Sequence, residues 1–439
     1  MPPSLQIPGG CSAVIPAAFV PIVVCLIVSI SIALMLVRPR NVPEVYWISA
    51  GVVLLLGLRL ITLKLAEHAL VKALDVCLFL IGMMLLSELA REHGVFDWLS
   101  SIAIRRAKGS CLKLFALVYG IGTIVTILMS NDATAVVLTP AILTAVRKAR
   151  VQPLPYLFIC AFIANAASFV LPISNPANLI VFRAAMPPLA GWLLAFSVPS
   201  LLSIGTTFYV LRWLFRNELR ARVENEVEEH RLNNNGKLVV ASVGLMVAVL
   251  LLASFFGKDL GLPTCLAALF ITAVLCVKEK SNPLTLAREI SWETLALVLG
   301  LFVMVDAMEM IGAMQYTQHW LAQAESLGTA AGQLATGFVV GVANNLVNNL
   351  PLGLIAGSTV RAAHVTGSMA DAVLIGVDLG PNLSITGSLA TILWLIALRK
   401  EKVHVSFWDF FRIGVVAMPA ALLAALAGSI LMQCWFHLS

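Results

Sequence analysis

The sequence contains 439 residues, of which 60% are apolar and only 12% charged. A typical soluble domain has about 25% charged residues, so this composition excludes a soluble enzyme and predicts a polytopic membrane protein. The net charge of +6 is typical of basic cytoplasmic loops, and we expect no nucleic-acid partner.

Apolar runs long enough to cross a bilayer, which takes about 20 residues, follow one another along the chain. In the first half they cover residues 17–37, 45–63, 73–90, 154–184 and 189–215. In the second half they cover residues 237–256, 261–277, 290–312, 369–398 and 413–436. The sequence therefore predicts ten transmembrane helices.

Two further apolar segments, residues 112–146 and 329–361, are each interrupted by polar residues near the middle. Their pieces are too short to cross comfortably, so both segments are predicted to be re-entrant hairpins. With this topology most of the 29 basic residues fall on one side, which the positive-inside rule assigns to the cytoplasm. Both termini are then predicted to lie outside the cytoplasm of a cell inner (plasma) membrane. Because no basic residue precedes the first apolar run, we interpret that run as a membrane anchor.

The same order of elements occurs twice, as three crossings, a hairpin and two crossings. It occurs first in residues 1–215 and again in residues 237–439, and a polar cytoplasmic linker, residues 216–236, joins the two halves. Five crossings are an odd number, so the second half is predicted to lie inverted in the membrane. The predicted fold class is an all-α polytopic membrane protein built from two inverted repeats.

Four clusters of polar residues lie at membrane depth, where an apolar transmembrane helix needs no polar side chain. They read SNDATAVVLTP (residues 130–140), NAASFVLPISNPAN (165–178), NNLVNNLP (344–351) and DLGPNLSITGS (378–388). In the second and fourth clusters, Pro172, Pro176, Gly380 and Pro381 interrupt apolar runs. These residues predict two discontinuous helices, whose freed backbone groups can bind a solute near the middle of the bilayer.

Acidic residues inside the clusters are candidates for ion coupling. Asp132 and Asp378 lie within two of them, and a carboxylate at that depth is costly unless it is paired, protonated or bound to a cation. Asp306 and Glu309 lie toward the outer end of their crossing, and we interpret them as a solvated helix end. The chain has no HExxH motif and no phosphate-binding loop, so we expect no metal, no cofactor and no ATP hydrolysis by the chain itself.

At the four clusters the sequence resembles the arsenite/antimonite efflux permeases, or arsenical pump membrane proteins, of the ion transporter superfamily. Residues 378–414, DLGPNLSITGSLATILWLIALRKEKVHVSFWDFFRIG, are similar to the C-terminal signature of these permeases. SNDATAVVLTP, FIANAASFVLPISNPANLIVF and NNLPLGLIAG also match in order and spacing. The resemblance implies a secondary transporter that exports As(OH)3 and Sb(OH)3 with the proton gradient, and some members associate with a cytosolic ATPase.

The implied substrate fits the residue types of the clusters. As(OH)3 is an uncharged trihydroxy solute, so amides, hydroxyls and backbone groups can satisfy its oxygens without a fixed countercharge. No cysteine lies within the four clusters, which avoids a thiolate trap that would bind arsenic too tightly for release. We expect proton coupling at Asp132 or Asp378. The side chains expected to bind the solute are Asn131, Asn175, Asn178, Asn348, Asn349, Asn382 and Ser384.

The chain departs from the permease pattern at three positions. It has Asn165, Val377 and Asn382 where the permeases have Asp, Cys and Lys. FIANAAS followed by NPAN is also similar to sodium/proton antiporters and sodium-coupled carboxylate transporters of the same superfamily, which would bind Na+ at the cluster around Asp132. That reading stays open as an alternative, as does a channel subunit or the membrane scaffold of an ATP-driven pump. The polar side chains could also be simple contacts between helices.

Overall fold

The computed structural model describes residues 16–183, 186–223, 231–280, 282–365 and 367–438. In these ranges the regular structure is helical and no β-strand is present, which confirms the all-α prediction. Residues 1–15, including the predicted outer N-terminus, lie outside the described residues, as do residues 224–230 of the predicted linker.

Nineteen α-helices occupy the described ranges. In the first half they are α1 (Val20–Val37), α2 (Glu44–Gly57), α3 (Leu63–Glu92), α4 (Val95–Ala107), α5 (Cys111–Leu128), α6 (Thr139–Lys148), α7 (Leu154–Ala166), α8 (Pro176–Val181) and α9 (Leu189–Leu214). In the second half they are α10 (Asn234–Phe255), α11 (Gly261–Glu279), α12 (Pro283–Glu289), α13 (Trp292–Met310), α14 (Met314–Ser326), α15 (Thr329–Val347), α16 (Asn349–Ala363), α17 (Gly367–Leu379), α18 (Leu389–Lys400) and α19 (Phe407–Leu438).

Eight helices within the described ranges are long and apolar enough to cross a membrane: α1, α3, α5, α9, α10, α11, α15 and α19. A ninth crossing results if α13 and α14, which meet at a bend of 81°, form one span. This confirms a multi-pass membrane protein. Among the ten predicted crossings, residues 45–63 give the 14-residue helix α2, which is shorter than a full crossing. Residues 154–184 and 369–398 give interrupted helices, as predicted.

Both predicted helix interruptions are confirmed. Helix α7 ends at Ala166, a short 3-10 turn follows at Pro172–Ser174, and α8 begins at Pro176. Helix α17 ends at Leu379, and two 3-10 turns precede α18. The restarting helices are capped by side chains, since Asn175 Oδ1 accepts from the Ala177 amide at 3.0 Å and Ser388 Oγ accepts from the Ala390 amide at 3.1 Å. Such caps satisfy amides that have no partner within the helix.

The chain also leaves helical geometry inside both predicted hairpin segments. Ser130 has φ of 149° and Asn348 has φ of 81°, conformations that non-glycine residues adopt rarely. After the first break the chain forms a π-helix, Ala133–Leu138. Helices α5 and α15, the first arms of these segments, have 18 and 19 residues and are long and apolar enough to cross a membrane, so the expectation that both pieces of each segment are too short to cross is wrong. That each segment returns to the side from which it enters stays a prediction.

The chain forms two compact units. Within the described ranges, the first consists of residues 16–73 and 293–315, and the second of the described residues between 74 and 292 and between 316 and 438. In the first, α1 packs on α2, and Lys72 donates to both oxygens of Asp306 at 2.8 and 3.0 Å. Asp306 is only 7% exposed, so the interpretation of this residue as a solvated helix end is wrong. In the second unit, α9 packs along α19 and α15 along α17.

Three helices are absent from the sequence prediction: α4, the 7-residue helix α12 and α14. Helices α4 and α14, each of 13 residues, lie where loops are predicted, because each is too polar to resemble a crossing. Apart from α12, their presence extends the repeated order of elements, since each half now has one such helix just before its hairpin segment. The inversion of the second half stays a prediction.

Candidate functional site: two helix breaks joined by a polar network

Asp378 lies at the centre of a buried polar network in the second compact unit. Its carboxylate accepts a hydrogen bond from Asn175 Nδ2 at 2.9 Å and lies 2.6 Å from Ser168 Oγ. The Ser168 hydroxyl also lies 2.7 Å from the Asn165 carbonyl oxygen, and its single proton can go to either acceptor. All three side chains are at most 1% exposed. No lysine or arginine in the described ranges pairs with this carboxylate. The break after α7 therefore contacts the break after α17 directly.

A second contact joins the same two breaks. Asn165 Nδ2 donates to Asn382 Oδ1 at 2.9 Å, and Asn382 Nδ2 donates to the Phe162 carbonyl at 3.1 Å. Both asparagines are buried. Asn165 and Asn382 are two of the three positions at which the chain departs from the permease pattern, so two of these departures lie in one pair.

The amide of Asn178 organises the non-helical segment between α7 and α8. Its Nδ2 lies within hydrogen-bonding distance of three backbone carbonyls, those of Ser168 at 2.8 Å, Leu171 at 3.2 Å and Pro172 at 3.3 Å. These carbonyls lack helical partners because the helix is broken. Asn178 thus has a structural task in addition to any role in binding.

The end of α15 holds the second break. Asn344 Nδ2 donates to the Val377 carbonyl at 2.5 Å, and Asn345 Nδ2 donates to the Gly380 carbonyl at 3.0 Å. Gly380 is needed here, because a Cβ atom at this position would lie 2.5 Å from the Gly341 carbonyl oxygen. Helices α15 and α17 therefore approach more closely than any larger residue at position 380 would allow.

Further contacts hold the two turns that follow the second break. Ser384 Oγ donates to Asn345 Oδ1 at 2.7 Å, and Thr386 Oγ1 donates to the Asn345 carbonyl at 3.0 Å. Asn348 Nδ2 donates to the Thr386 carbonyl at 3.2 Å. Asn344, Asn345 and Asn348 of the predicted second hairpin thus contact residues 377–386, at the break between α17 and α18, through hydrogen bonds.

The network has an excess of hydrogen-bond acceptors. Three asparagines of the network, Asn165, Asn178 and Asn344, have a buried side-chain oxygen with no donor among the described residues. The same holds for Asn131 and Asn349, which lie in the same clusters but make no hydrogen bond to the network. For Asn178 and Asn344 the orientation of the amide is fixed, because backbone carbonyls can only accept and must face the nitrogen. Buried polar atoms are nearly always satisfied. The site is therefore suited to a species that donates hydrogen bonds or to a cation.

Asp132 has a different environment. Its side chain is half-buried and makes no hydrogen bond or ion pair among the described residues, although it directly precedes the π-helix Ala133–Leu138. Thr126 and Thr134 share a hydrogen bond of 2.8 Å beside it, and α18 packs on the π-helix. π-Helical turns are rare and frequent at functional sites. Asp132 is thus free to bind a partner, whereas Asp378 is already held.

The structure joins six of the predicted site residues through hydrogen bonds to the two breaks: Asn175, Asn178, Asn348, Asp378, Asn382 and Ser384. It shows no such bond for Asn131, Asp132 or Asn349 among the described residues. The network also contains five residues that are not among the predicted site residues: Asn165, Ser168, Asn344, Asn345 and Thr386. All five lie within the same four clusters, so the cluster boundaries are the signal that could have included them.

Comparison with known proteins supports the prediction that this chain is a membrane transporter. A family model described as "Citrate transporter" (CitMHS) matches residues 47–380. The chain belongs to this family. It is 27% identical over 362 residues to the "Arsenical pump membrane protein" of Yersinia enterocolitica, covering 79% of this chain and 84% of the relative. A protein of the same name from Escherichia coli is 27% identical over 366 residues, with the same coverage of both chains.

The fold is similar to that of a solved transporter. The structure of the YdaH transporter of Alcanivorax borkumensis, described as having an unusual topology, aligns with a TM-score of 0.59 over 85% of this chain and 87% of that one, at 15% identity. The match with the citrate transporter family and those with the two arsenical pump membrane proteins confirm the resemblance to arsenical pump membrane proteins. The protein is a membrane transporter, of the secondary type rather than an enzyme.

Proposed function

We propose that the protein exports trivalent arsenite and antimonite from the cytoplasm by alternating access, coupled to protons. The observation that carries this proposal is the excess of buried amide oxygens, since As(OH)3 offers three O–H donors and no charge. The names of the arsenical pump relatives support the same substrate.

The free oxygens refine the expected binding groups. Asn131, Asn178 and Asn349 have unpaired oxygens, as do Asn165 and Asn344, and all five can accept from the solute hydroxyls. Asn175, Asn382 and Ser384 already donate to other side chains or to the backbone, so they position the two breaks and can contact the solute only as those bonds exchange.

Asp378 is the better candidate for proton coupling. An ionised carboxylate only accepts, so in that state it takes the single hydroxyl proton of Ser168 and an amide proton of Asn175. Protonation turns one oxygen into a donor to Ser168 Oγ, and the Ser168 proton can then go to the Asn165 carbonyl 2.7 Å away. A proton would in this way rearrange the hydrogen bonds between the two breaks. Asp132, which has no partner, remains the alternative carrier of the proton.

Reconstitution of the purified chain tests this proposal. Proteoliposomes with an acidic lumen and no ATP should accumulate arsenite and antimonite, a protonophore should abolish accumulation, and replacement of sodium by choline should have no effect. Accumulation by the chain alone would also show that a cytosolic ATPase is not required. A scaffold for an ATP-driven pump would accumulate nothing until an ATPase is added, and a channel would equilibrate the solute without accumulating it.

The family description favours a second candidate, a sodium-coupled carboxylate carrier. The amide oxygens could bind Na+ as well as hydroxyl donors, but a carboxylate needs donors or positive charge. No lysine or arginine in the described ranges donates to the groups of the network. Citrate uptake driven by a sodium gradient, with no effect of arsenite, would select this candidate and overturn the first.

A further inference from the structure

Positive charge is concentrated where α9 ends and α5 begins, in the second compact unit. Residues 108–113 and 212–222 contain six lysine and arginine side chains and one acidic residue, Glu218. The six basic side chains are all exposed, and together they form a surface that we call the basic ledge: Lys108, Lys113, Arg212, Arg216, Arg220 and Arg222. The positive-inside rule assigns this surface to the cytoplasm. Nothing in the proposed transport mechanism uses these residues.

Contacts between α5 and α9 bring the two basic segments together. Tyr119 Oη of α5 donates to the Ile204 carbonyl of α9 at 2.6 Å, and the rings of Phe115 and Phe208 lie 5.8 Å apart. In these two pairs a later residue of α5 meets an earlier residue of α9, so the helices are antiparallel. The end of α9 therefore lies beside the start of α5.

The chain that follows α9 is fixed against the same place. The 3-10 turn Glu218–Arg220 packs on α5, and its central leucine is buried. The Val223 amide then donates to the Gly109 carbonyl at 3.0 Å, and Arg222 pairs with Ser110 in a single antiparallel bridge. The six basic side chains are thus carried by two backbone segments that are hydrogen-bonded to each other.

Two exposed aromatic side chains place the basic ledge at the level of the lipid headgroups. Tyr209 and Trp213 lie one turn apart on the membrane-spanning helix α9 and are 66% and 57% exposed. Tyrosine and tryptophan on the lipid-facing side of a span concentrate at the boundary between hydrocarbon and water. The Arg216 guanidinium lies over the Trp213 ring, 6.0 Å from its centre. The ledge therefore begins where the hydrocarbon ends.

We propose that the basic ledge binds the phosphate groups of anionic phospholipids in the cytoplasmic leaflet. Arginine and lysine bind phosphate through charge-assisted hydrogen bonds, and clusters of about four to eight of them directly beside a transmembrane helix are typical of anionic-lipid recognition. None of the six side chains forms an ion pair with a described residue. Their charge is therefore available to a partner.

The chain itself contains a competing acidic segment. Glu224, Glu226, Glu228 and Glu229 follow the ledge in the sequence and lie outside the described residues. An acidic segment would neutralise the arginines but would gain nothing from Tyr209 and Trp213. A phospholipid uses both features, because its phosphate contacts the cations while its acyl chains contact the aromatic rings. The aromatic pair therefore favours the lipid.

Quenching of Trp213 fluorescence by brominated lipids tests the proposal in the full-length protein. Bilayers of phosphatidylcholine and phosphatidylglycerol in fixed proportion contain the bromine on one lipid or on the other, at equal mole fraction. The Trp213 signal is the difference between each protein and the same protein with Trp213→Phe. We expect phosphatidylglycerol to bind about tenfold more tightly than phosphatidylcholine at this position, since each basic side chain near an anionic surface adds to the attraction. About 1 M salt should reduce this preference in the wild type, because it screens exposed charges.

Three sets of substitutions locate the preference. Arg216→Gln/Arg220→Gln/Arg222→Gln should remove it, and replacement of the same three residues by lysine should keep it. The matched control Arg399→Gln/Lys400→Gln/Lys402→Gln removes the same charge from exposed positions around the end of α18 and should also keep it. Loss of the preference in this control as well would show that net charge, and not the ledge, attracts the lipid, and would overturn the proposal.

Two further outcomes would count against the lipid. Equal quenching by the two brominated lipids in the wild type would overturn the proposal. A preference that appears only after the four glutamates of residues 224–229 are replaced by glutamine would show that the acidic segment of the chain occupies the ledge instead. No transported solute enters this experiment, so its result is independent of the proposed arsenite export.

Discussion

At the scale of single residues, the two candidate coupling residues, Asp378 and Asp132, differ in burial and in their hydrogen-bond partners. Asp378 is fully buried and receives two donors from the other half of the chain, whereas Asp132 is half-buried without a partner. A carboxylate that joins two moving parts can change their contact when it gains a proton. A free carboxylate can only change its own charge. This difference assigns the coupling role to Asp378 within the proposed mechanism.

The Asp378→Asn substitution tests that assignment. The amide keeps the shape of the carboxylate but cannot release a proton, and it retains only one acceptor oxygen for Ser168 and Asn175. We expect gradient-driven arsenite accumulation in proteoliposomes to fall by about tenfold or more, as for loss of a charged hydrogen bond. Exchange of arsenite without a gradient should persist. The control Asp259→Asn, at an exposed loop position, should behave as the wild type, and normal accumulation by Asp378→Asn would move the role to Asp132.

The contact between Asn165 and Asn382 gives a second prediction. These positions carry Asp and Lys in the permeases that the sequence resembles, and here they form a neutral pair at 2.9 Å. Asn165→Asp alone places a carboxylate against an acceptor oxygen, and Asn382→Lys alone buries an unpaired charge. Each leaves an uncompensated buried charge and should destabilise the protein by about 3–5 kcal/mol.

The double variant Asn165→Asp/Asn382→Lys should recover most of the lost stability, because the two charges then pair. The measurement is the melting temperature of the purified protein in detergent, read as a double-mutant cycle. If the losses of stability of the two single variants simply add in the double variant, residues 165 and 382 do not interact.

The sequence predicts which clusters contribute residues to the site, but it does not predict which of these residues contact each other. Polar residues at membrane depth identify the four clusters because hydrocarbon excludes them. The contact of Ser168 with Asp378 spans 210 positions of the chain, and nothing in the local sequence indicates which cluster meets which. The role of Asn345 could not be predicted for the same reason. Its side chain forms hydrogen bonds with Gly380 and Ser384, which only the folded chain brings close to it.

At the scale of elements, proline and glycine made the two helix breaks predictable, because their effect on the backbone is local. The π-helix after Asp132 was not predictable, since its residues, ATAVVL, have no breaker and would suit an α-helix. Helices α4 and α14 were missed because their polar faces conceal them in a search for long apolar runs. Local chemistry therefore predicted where helices end better than which helical form they take.

Gly380→Ala tests the close approach of α15 and α17. The added methyl group would lie 2.5 Å from the Gly341 carbonyl oxygen and 2.8 Å from Asn344 Cβ, so the helices must separate. We expect a loss of stability of about 1–3 kcal/mol and a loss of arsenite transport at temperatures where the protein is still folded. Gly244→Ala is the matched control, since a Cβ there meets nothing within 4 Å and alanine favours the helix by up to about 1 kcal/mol. Equal melting temperatures for the two variants would contradict the tight crossing.

At the scale of the whole molecule, the order of elements repeats. Three helices, a 13-residue helix, the segment with the polar break, a broken helix and a long last helix occur in each half, with α12 as the extra element. The sequence predicts five crossings in each half, and a repeat with an odd number of crossings must invert. An inverted repeat would bring two equivalent breaks to the same depth from opposite sides. The contact between the two breaks at Asp378 is what such an arrangement would produce.

The inversion predicts that α4 and α14, which hold equivalent places in the two halves, lie on opposite sides of the membrane. Lys108, after α4, and Leu327, after α14, are both exposed. In a background with Cys11 and Cys434 replaced by serine, Leu327→Cys should react with an impermeant thiol reagent added to intact cells. Lys108→Cys should react only in everted vesicles. The five buried cysteines should stay unreactive in both preparations. Reaction of the two introduced thiols from the same side of the membrane would show that the halves run parallel. The contact between their breaks would then need another explanation.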